Sequence, residues 1–460
     1  MNEQYKVDGQ LINKYNLPVP RYTSYPTVPC WNNEIELNDW EAAVKGKFTI
    51  ENSLNGISLY IHLPFCESLC TYCGCNKKIT TNHSVENAYI IALEKEWMLY
   101  RRLMHQAPVI REIHLGGGTP TFFSAGNLQR IADIFLKDNI IHPQHEFSIE
   151  GHPNNTTKEQ LEVLYKNGFR RISFGVQDND PEVQRIINRI QPFENLQQAT
   201  MQARKIGFTS INFDLIYGLP LQTISSIERT ILQVTELMPD RIAFYSYAHV
   251  PWTSKAQRLF NENDLPRAEE KVALYIKGKE LLLNKGYADI GMDHFALEHD
   301  ELFKARSLGK LYRNFMGYTT HHSGMLIGLG VSAIGDAGGL AFAQNEKTLH
   351  DYYKAINEGC LPVKKGYILN EEDSIFRKHI LNISCRGRTK FKLRELPLLQ
   401  EFTFPVLKAL QQDGLVLFDD EICTVTPKGQ YFIRNICSAF DLYLQRNAKH
   451  SQKPVYSKAM

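Results

Sequence analysis

Between Ser58 and Val250, short apolar runs alternate with longer stretches in which apolar residues recur at helical spacing. The short runs are Ser58–Pro64, Glu112–Leu115, Glu146–Glu150, Arg171–Val176, Ser210–Tyr217 and Arg241–Ala248. Each is rich in Ile, Leu, Val, Phe or Tyr and too short for a stable helix, as a strand buried in a parallel sheet should be. The stretches between them carry helix signals. Ser84 precedes a helix whose expected apolar face holds Ala88, Ile91, Ala92 and Leu99. Thr157 and Gln160 make a capping box, and Gly168 supplies a left-handed stop. Asp180-Pro181 joins a cap to a helix-starting proline, and Gly207 closes the helix before Phe208. Six strand–helix alternations predict an α/β fold, an incomplete parallel (β/α)6 barrel.

Beyond Pro251 the alternation loosens. A helix is predicted from Arg267 to Asn284, followed by Gly286-Tyr287 and the run Asp289 to Phe295. The glycine-rich stretch from Met325 to Gly339 predicts a buried strand with close backbone approaches. From Leu407 to Ile436 the order is helix, small hairpin, helix, as in a winged helix. The expected organisation is an N-terminal arm and helix over 1–54, the α/β domain over 55–365, and a mostly helical, winged-helix-like domain over 366–460.

Composition narrows the classes. With 460 residues, 43% hydrophobic and 22% charged, the chain has the means to bury a large core and is too apolar to be disordered. A net charge of +2, with 14 Lys+Arg against 10 Asp+Glu over 371–460, argues against a nucleic-acid partner held by bulk electrostatics. No membrane partner is expected either, since the uncharged run from Tyr318 to Gly335 is too polar to span a bilayer. The first residues, Met1 to Lys6, lack a secretory pattern, and nine cysteines are an odd number. Both point to reduced thiols and a cytoplasmic location.

Four of those cysteines fall in Cys66-Glu-Ser-Leu-Cys70-Thr-Tyr-Cys73-Gly-Cys75, directly after the first predicted strand. Loops at the carboxyl ends of barrel strands carry chemistry. Three thiolates spaced C-x3-C-x2-C suit an iron–sulfur cubane with one iron left open, whereas electron-transfer clusters take four cysteines. A zinc site using all four sulfurs is the alternative, though structural zinc draws ligand pairs from two separated segments and no second pair is visible.

Cys66, Cys70 and Cys73, with Tyr72 before the last, resemble the signature of the radical S-adenosylmethionine (SAM) superfamily. Further segments extend the likeness along almost the whole chain: Pro20 to Thr27, Gly116-Gly117-Gly118-Thr119-Pro120, Gly175 to Asp178, Asp214 to Pro220, Gly291 to Ala296 and Arg313-Asn314-Phe315. In that combination the chain is similar to the oxygen-independent coproporphyrinogen III oxidases.

The resemblance implies one [4Fe–4S] cluster on Cys66, Cys70 and Cys73, leaving Cys75 beside it, and a SAM on the open iron. It surrounds that SAM with Tyr60, Gly117, Glu150 and Ile334. It implies a second SAM near Tyr72, Gly118, Thr119, Gln177, Arg189, Asp214 and Ala248. The residue types suit the task. Glu150 or Asp214 accepts hydrogen bonds from ammonium or ribose hydroxyls, Arg189 holds a carboxylate bidentately, and glycines let backbone amides approach a small zwitterion.

The implied substrate, coproporphyrinogen III, carries four propionates and would need several cations. Arg21, His62, Arg313 and His294 are the candidates; His294 as a satisfied core residue, and His321-His322 as a solvated loop, are the plainer alternatives. The Arg21-Tyr22 segment is either a cover for the substrate or a structural strap. The family also implies a low-potential donor of the flavodoxin or ferredoxin kind, and a monomer. One departure is Met316, where the family pattern leads one to expect Gln. The rivals are a heme-binding chaperone, a radical SAM methyltransferase acting on heme, and a zinc-containing DNA-binding regulator.

Overall fold

A computed structural model describes residues 9–31, 35–321, 324–447 and 456–458. Six strands, β1 (Ile57–Leu63), β2 (Val109–Gly117), β3 (Ile140–Gly151), β4 (Phe169–Gln177), β5 (Ser210–Tyr217) and β6 (Arg241–Ser246), run parallel in chain order. Each predicted apolar run thus overlaps a strand. β2, β3 and β4 exceed the predicted run by a few residues, because pairing carries polar positions such as Arg111 and Arg170 along with apolar ones, whereas β6 stops two residues short of Ala248.

The glycine-rich stretch gives two strands instead of one. β7 (Leu326–Leu329) pairs parallel with β1, and Ile334–Asp336 folds back antiparallel on it. Gly328 lies so near this return that a Cβ there would sit 2.4 Å from the Ile334 carbonyl oxygen. The whole is a twelve-stranded sheet whose ends, Ala288–Gly291 and Val363–Ile368, do not pair with each other among the described residues. It is an open sheet, curled so that β2 to β6 wall one cavity.

Helices α1 (Val85–Arg102), α2 (Ala125–Leu136), α3 (Lys158–Lys166) and α4 (Phe193–Ile206) follow successive strands and pack each on the next. α5 (Ile224–Glu236) follows β5 and packs on α6 (Ala268–Asn284). Their ends obey the predicted chemistry: the Thr157–Gln160 capping box closes both ways, Asp180 caps the amides of Glu182 and Val183, and Gly207 is left-handed at φ 117°. The face of α1 is corrected in part. Ala92 is buried and Leu99 half-buried against the core, as expected, but Ala88 and Ile91 are exposed, and the buried stripe is Glu86, Tyr89, Ile90, Ala92, Leu93, Glu96, Trp97 and Tyr100.

The two glutamates explain the rotation, because they read as a polar face yet are satisfied inside. Glu86 accepts from the Ser124 amide at 3.0 Å and Asn127 Nδ2 at 2.6 Å. Glu96 accepts from the Gly330 amide, Asn345 Nδ2 and Tyr352 OH, each at 2.7 Å. Burial still pushes the Glu96 carboxyl up to about 7 against those three donors.

Among the described residues two large hydrophobic cores result, beside a small cluster of Val183, Ile187, Leu219, Tyr247 and Phe260. One fills the α/β layer from Trp40 to Leu361. The other joins Leu11, Tyr15, Tyr22 and Tyr25 of the arm to Ile290, Tyr318 and the C-terminal Phe376, Leu407 and Phe440, and so runs across all three expected divisions. In the C-terminal part, Arg388–Lys390, Ile422–Val425 and Val416–Phe418 form a small sheet in that spatial order. The arm is strapped to it: Tyr22 OH donates to Asp441 at 3.0 Å, the Leu442 amide donates to Tyr25 OH at 2.9 Å, and Arg434 donates to the Pro20 carbonyl at 3.3 Å. At the other end Arg21 donates to the Ser246 carbonyl at the end of β6. No helix of the described residues is long and apolar enough to cross a membrane.

Candidate active site

The cysteine loop is pinned at its root. Phe65–Cys66 pairs with Lys78–Ile79, while the Gly118 and Thr119 amides donate to the Leu63 and Phe65 carbonyls at 2.8 and 2.9 Å. The loop between hangs on outside donors: Asn188 Nδ2 to the Leu69 carbonyl at 2.8 Å, Gln257 Nε2 to that of Tyr72 at 3.0 Å, and Ser254 Oγ to that of Cys73 at 3.3 Å. With its carbonyls engaged, the loop is free to aim its thiols inward.

Cys66, Cys70 and Cys73 line a cavity of about 480 Å³ at the carboxyl ends of the strands. Tyr72, Gly117, Gly118, Thr119, Glu150, Gln177, Arg189 and Asp214 line it with them. Tyr60, Ala248 and Ile334 do not. Tyr60 stands one layer back, its ring stacked on His114 at 5.9 Å and its hydroxyl 3.0 Å from His62 Nδ1. Ala248 accepts from Gln257 through its carbonyl, and Ile334 lies against Gly328.

The donor set fits a cubane. Burial pushes the Cys66 thiol up, opposed by the Thr119 hydroxyl that donates to it at 3.3 Å. The Cys75 thiol beside it and the Lys77 ammonium hold the Cys73 thiol below its ordinary value against burial. Arg189 reaches Cys70 Sγ at 3.6 Å while its buried Nε has no acceptor, so positive charge is spare where thiolates must gather. Among the described residues no three or more His, Cys, Asp or Glu side chains sit together as a single-ion site. A cubane spreads its sulfurs over separate irons and does not ask for one.

Two carboxylates face the cavity from neighbouring strands. Glu150 accepts from the Gly117 amide at 3.1 Å and from His114 Nε2 at 3.2 Å, while His114 Nδ1 meets Ser148 Oγ at 2.7 Å. Burial would raise the Glu150 carboxyl, but His114, the Gly117 amide and His62 outweigh it and hold it below its ordinary value. Asp214 accepts from Ser173 Oγ at 2.8 Å and Asn212 Nδ2 at 2.9 Å. Burial, with Glu150 nearby, pushes it up to about 6. Gln177 ends β4 in the left-handed region at φ 67°, a cost a polar side chain accepts where a site needs it.

The pattern along the chain concealed a further set. His114, Ser148, Arg171, Ser173, Asn212, Arg241 and Tyr245 also line the cavity. They occupy alternate strand positions with Glu150, Gln177 and Asp214, the period-two polar signal of a lumen-facing strand face. That signal was present inside runs taken as buried on both faces.

Of the substrate candidates, His294 lines the cavity, and burial with Arg313, Arg241 and Arg21 beside it holds its imidazole down to about 3. His62 is satisfied, with Nε2 on the Asn76 carbonyl at 2.9 Å. Arg313 is buried behind Tyr318, with its guanidinium 4.8 Å from that ring centre. His321 meets Arg111 at 3.0 Å, and His322 lies outside the described residues. Met316 lines the cavity. A thioether there offers an apolar surface of about the volume of the expected amide, so Met316→Gln is expected to keep or raise turnover in an anaerobic rate assay. A collapse would give the methionine a role of its own.

Residues 60–234 match the radical SAM superfamily. Oxygen-independent coproporphyrinogen III oxidase of Escherichia coli K12 is 39% identical over 98% of both chains, and that of Helicobacter pylori 26695 is 38% identical over 97% of this chain and 99% of its own. The enzyme of Pseudomonas aeruginosa PAO1 is 37% identical over 96% of this chain and 97% of its own. The solved structure of coproporphyrinogen III oxidase from Escherichia coli, described as a radical SAM enzyme, superposes with a TM-score of 0.88 at 38% identity, covering 96% of this chain and all of that one. With near-full-length relatives at this identity, a shared architecture and the thiols of Cys66, Cys70, Cys73 and Cys75 around one cavity, the chain belongs to the oxygen-independent coproporphyrinogen III oxidases of the radical SAM superfamily.

Proposed function

We propose that the protein converts coproporphyrinogen III to protoporphyrinogen IX without oxygen, turning two propionate side chains into vinyl groups in porphyrin and heme biosynthesis. The observation that carries this is the convergence of Cys66, Cys70 and Cys73 on a cavity that also holds Glu150, Arg189 and Asp214. When bound, the [4Fe–4S] cluster and SAM supply a 5′-deoxyadenosyl radical.

The chain's own residues hold and orient. Cys66, Cys70 and Cys73 ligate, and Cys75 stands beside Cys73. Tyr60, Gly117, Glu150 and Ile334 form the surroundings of the first SAM, with Glu150 keeping its charge for an ammonium group. Tyr72, Gly118, Thr119, Gln177, Arg189, Asp214 and Ala248 form those of a second SAM. The strapped arm closes one side against water. Each propionate gives up a β-hydrogen atom, CO2 and one electron, and the vinyl group remains. The electron leaves to an external acceptor, and a flavodoxin- or ferredoxin-like donor reduces the cluster. We place the enzyme in the cytoplasm as a monomer.

Anaerobic protein reconstituted with iron and sulfide, given SAM, reductant and coproporphyrinogen III, should yield 5′-deoxyadenosine and tetrapyrrole lighter by two CO2, read by mass spectrometry. Deoxyadenosine with a methylated tetrapyrrole would replace the reaction with heme methylation. Tight heme binding with neither product would make the protein a chaperone.

Asp214 adds a pH signature. With its carboxyl near 6, it is ionised at neutral pH and about nine-tenths protonated one unit below 6. An acceptor role toward a hydroxyl then predicts SAM affinity falling about tenfold between pH 7 and pH 5, by calorimetry on reconstituted protein. Asp214→Asn should bind weakly with a flat profile, and an unchanged slope in that variant would rule Asp214 out.

A further inference from the structure

Arg313 lies in the short strand Tyr312–Asn314, which pairs antiparallel with Gly317–Thr319 so that Arg313 stands directly opposite Tyr318. The turn between them puts Met316 on the cavity wall, and Tyr318 is part of the same wall. Arg313 therefore shares a ribbon face with a wall residue, over whose ring it lies.

Its hydrogen bonding is incomplete. The residue is 6% exposed, Nη2 reaches only the Arg21 carbonyl at 3.5 Å, and Nε and Nη1 are buried without an acceptor. A guanidinium cannot shed its proton, and burying it without a partner is costly. Among the described residues neither Arg313 nor Arg21 forms an ion pair, and both stand against the aromatic wall. Arg21 lies 5.9 Å from the Tyr245 ring centre. Between the two rings His294 packs edge-on to Tyr318 at 5.1 Å and Tyr245 at 5.6 Å, and its Nδ1 is also buried without a partner. Two arginines without a carboxylate and an imidazole with a free Nδ1 thus sit together beside a cavity. Nearby Arg171 and Arg241 differ, since each already has a carboxylate, Glu146 and Asp300.

We infer that Arg313, with Arg21 and His294, is the seat of a substrate carboxylate, a propionate that stays intact during turnover. A carboxylate there would accept end-on from the free Nη1 of Arg313 and the second N–H of its Nη2, and accept from or donate to His294 Nδ1. The seat lies beside β6, whereas the cysteine loop follows β1, at the opposite end of the six-strand run. Anchoring an intact propionate there leaves the rest of the macrocycle to present a reacting one toward the cysteines. The assignment rests on the tetrapyrrole substrate proposed above and names the subsite that would hold it.

The test is binding. Full-length reconstituted protein is equilibrated anaerobically with coproporphyrin III, the stable aromatic form of the same skeleton, or with its tetramethyl ester, and free porphyrin is read by fluorescence after ultrafiltration. Arg313→Met should weaken the acid about tenfold and change the ester less than about twofold, with Arg313→Lys between parent and Met for the acid. Free Arg313→Met should melt no lower than the parent, since it sheds an unpaired buried charge. Equal weakening of acid and ester, no weakening in a folded variant, or an unstable Arg313→Met beside an Arg313→Lys that binds like the parent would overturn the assignment. Acid-selective loss without any decarboxylated product would overturn the proposed reaction and keep the carboxylate seat.

Discussion

Replacing Cys66, Cys70 or Cys73 with alanine abolishes 5′-deoxyadenosine formation, by at least about three orders of magnitude, and takes cluster iron to background after anaerobic reconstitution. Each thiol lines the cavity, and the hydrogen bonds that hold the loop from outside end on the backbone carbonyls of Leu69, Tyr72 and Cys73, which alanine keeps. The variants should therefore fold and melt like the parent, so that the loss is chemical. Cys75→Ser is the discriminating control. Its thiol only helps to hold the Cys73 thiol low, which a serine hydroxyl also does, so iron binding and the cluster's visible absorbance should survive. Loss of iron in that variant alone would place Cys75 among the ligands and require a new assignment of the three.

The second large effect is expected at Gly118. A Cβ there would lie 2.6 Å from the Pro64 carbonyl carbon, 2.7 Å from its oxygen and 2.9 Å from the Leu63 oxygen. These are backbone atoms at the root of the cysteine loop, tied to Gly118 by its own amide, so neither side yields cheaply. Gly118→Ala should separate the second strand–helix loop from the cysteine loop at a cost of ~1–3 kcal/mol. Spent on site geometry, that is about a 10- to 100-fold loss of SAM affinity, measurable by calorimetry with little change in iron content. Gly126→Ala is the companion control: a Cβ there meets nothing within 4 Å, and alanine favours the helix, so affinity should hold. Equal affinity in both variants would mean that the close approach at Gly118 is not what shapes the site.

The cysteine loop was readable along the chain because its chemistry is local: spacing alone brings three sulfurs within reach of one cluster. The parallel strands were readable because burial on the outer face leaves little polar interruption, and the helix ends because Thr157, Asp180 and Gly207 act on amides a few residues away. The face of α1 was not. Glu86 and Glu96 look like solvent positions until Ser124, Asn127, Gly330, Asn345 and Tyr352 arrive from distant segments to satisfy them.

The sequence by itself determined the α/β alternation, the position of the cluster loop after β1 and the family. Tertiary structure decided which alternate positions of β2 to β6 turn inward, bringing His114, Ser173 and Asn212 to the two carboxylates. It also decided that the arm is strapped to the C-terminal core and that Arg313 is left with unused donors beside the cavity. Local signals depend on spacing of a few residues and survive in one dimension. Whether a buried polar group is paired or spare depends on groups hundreds of residues away, such as Arg21 beside Arg313, and only the closed fold brings them together.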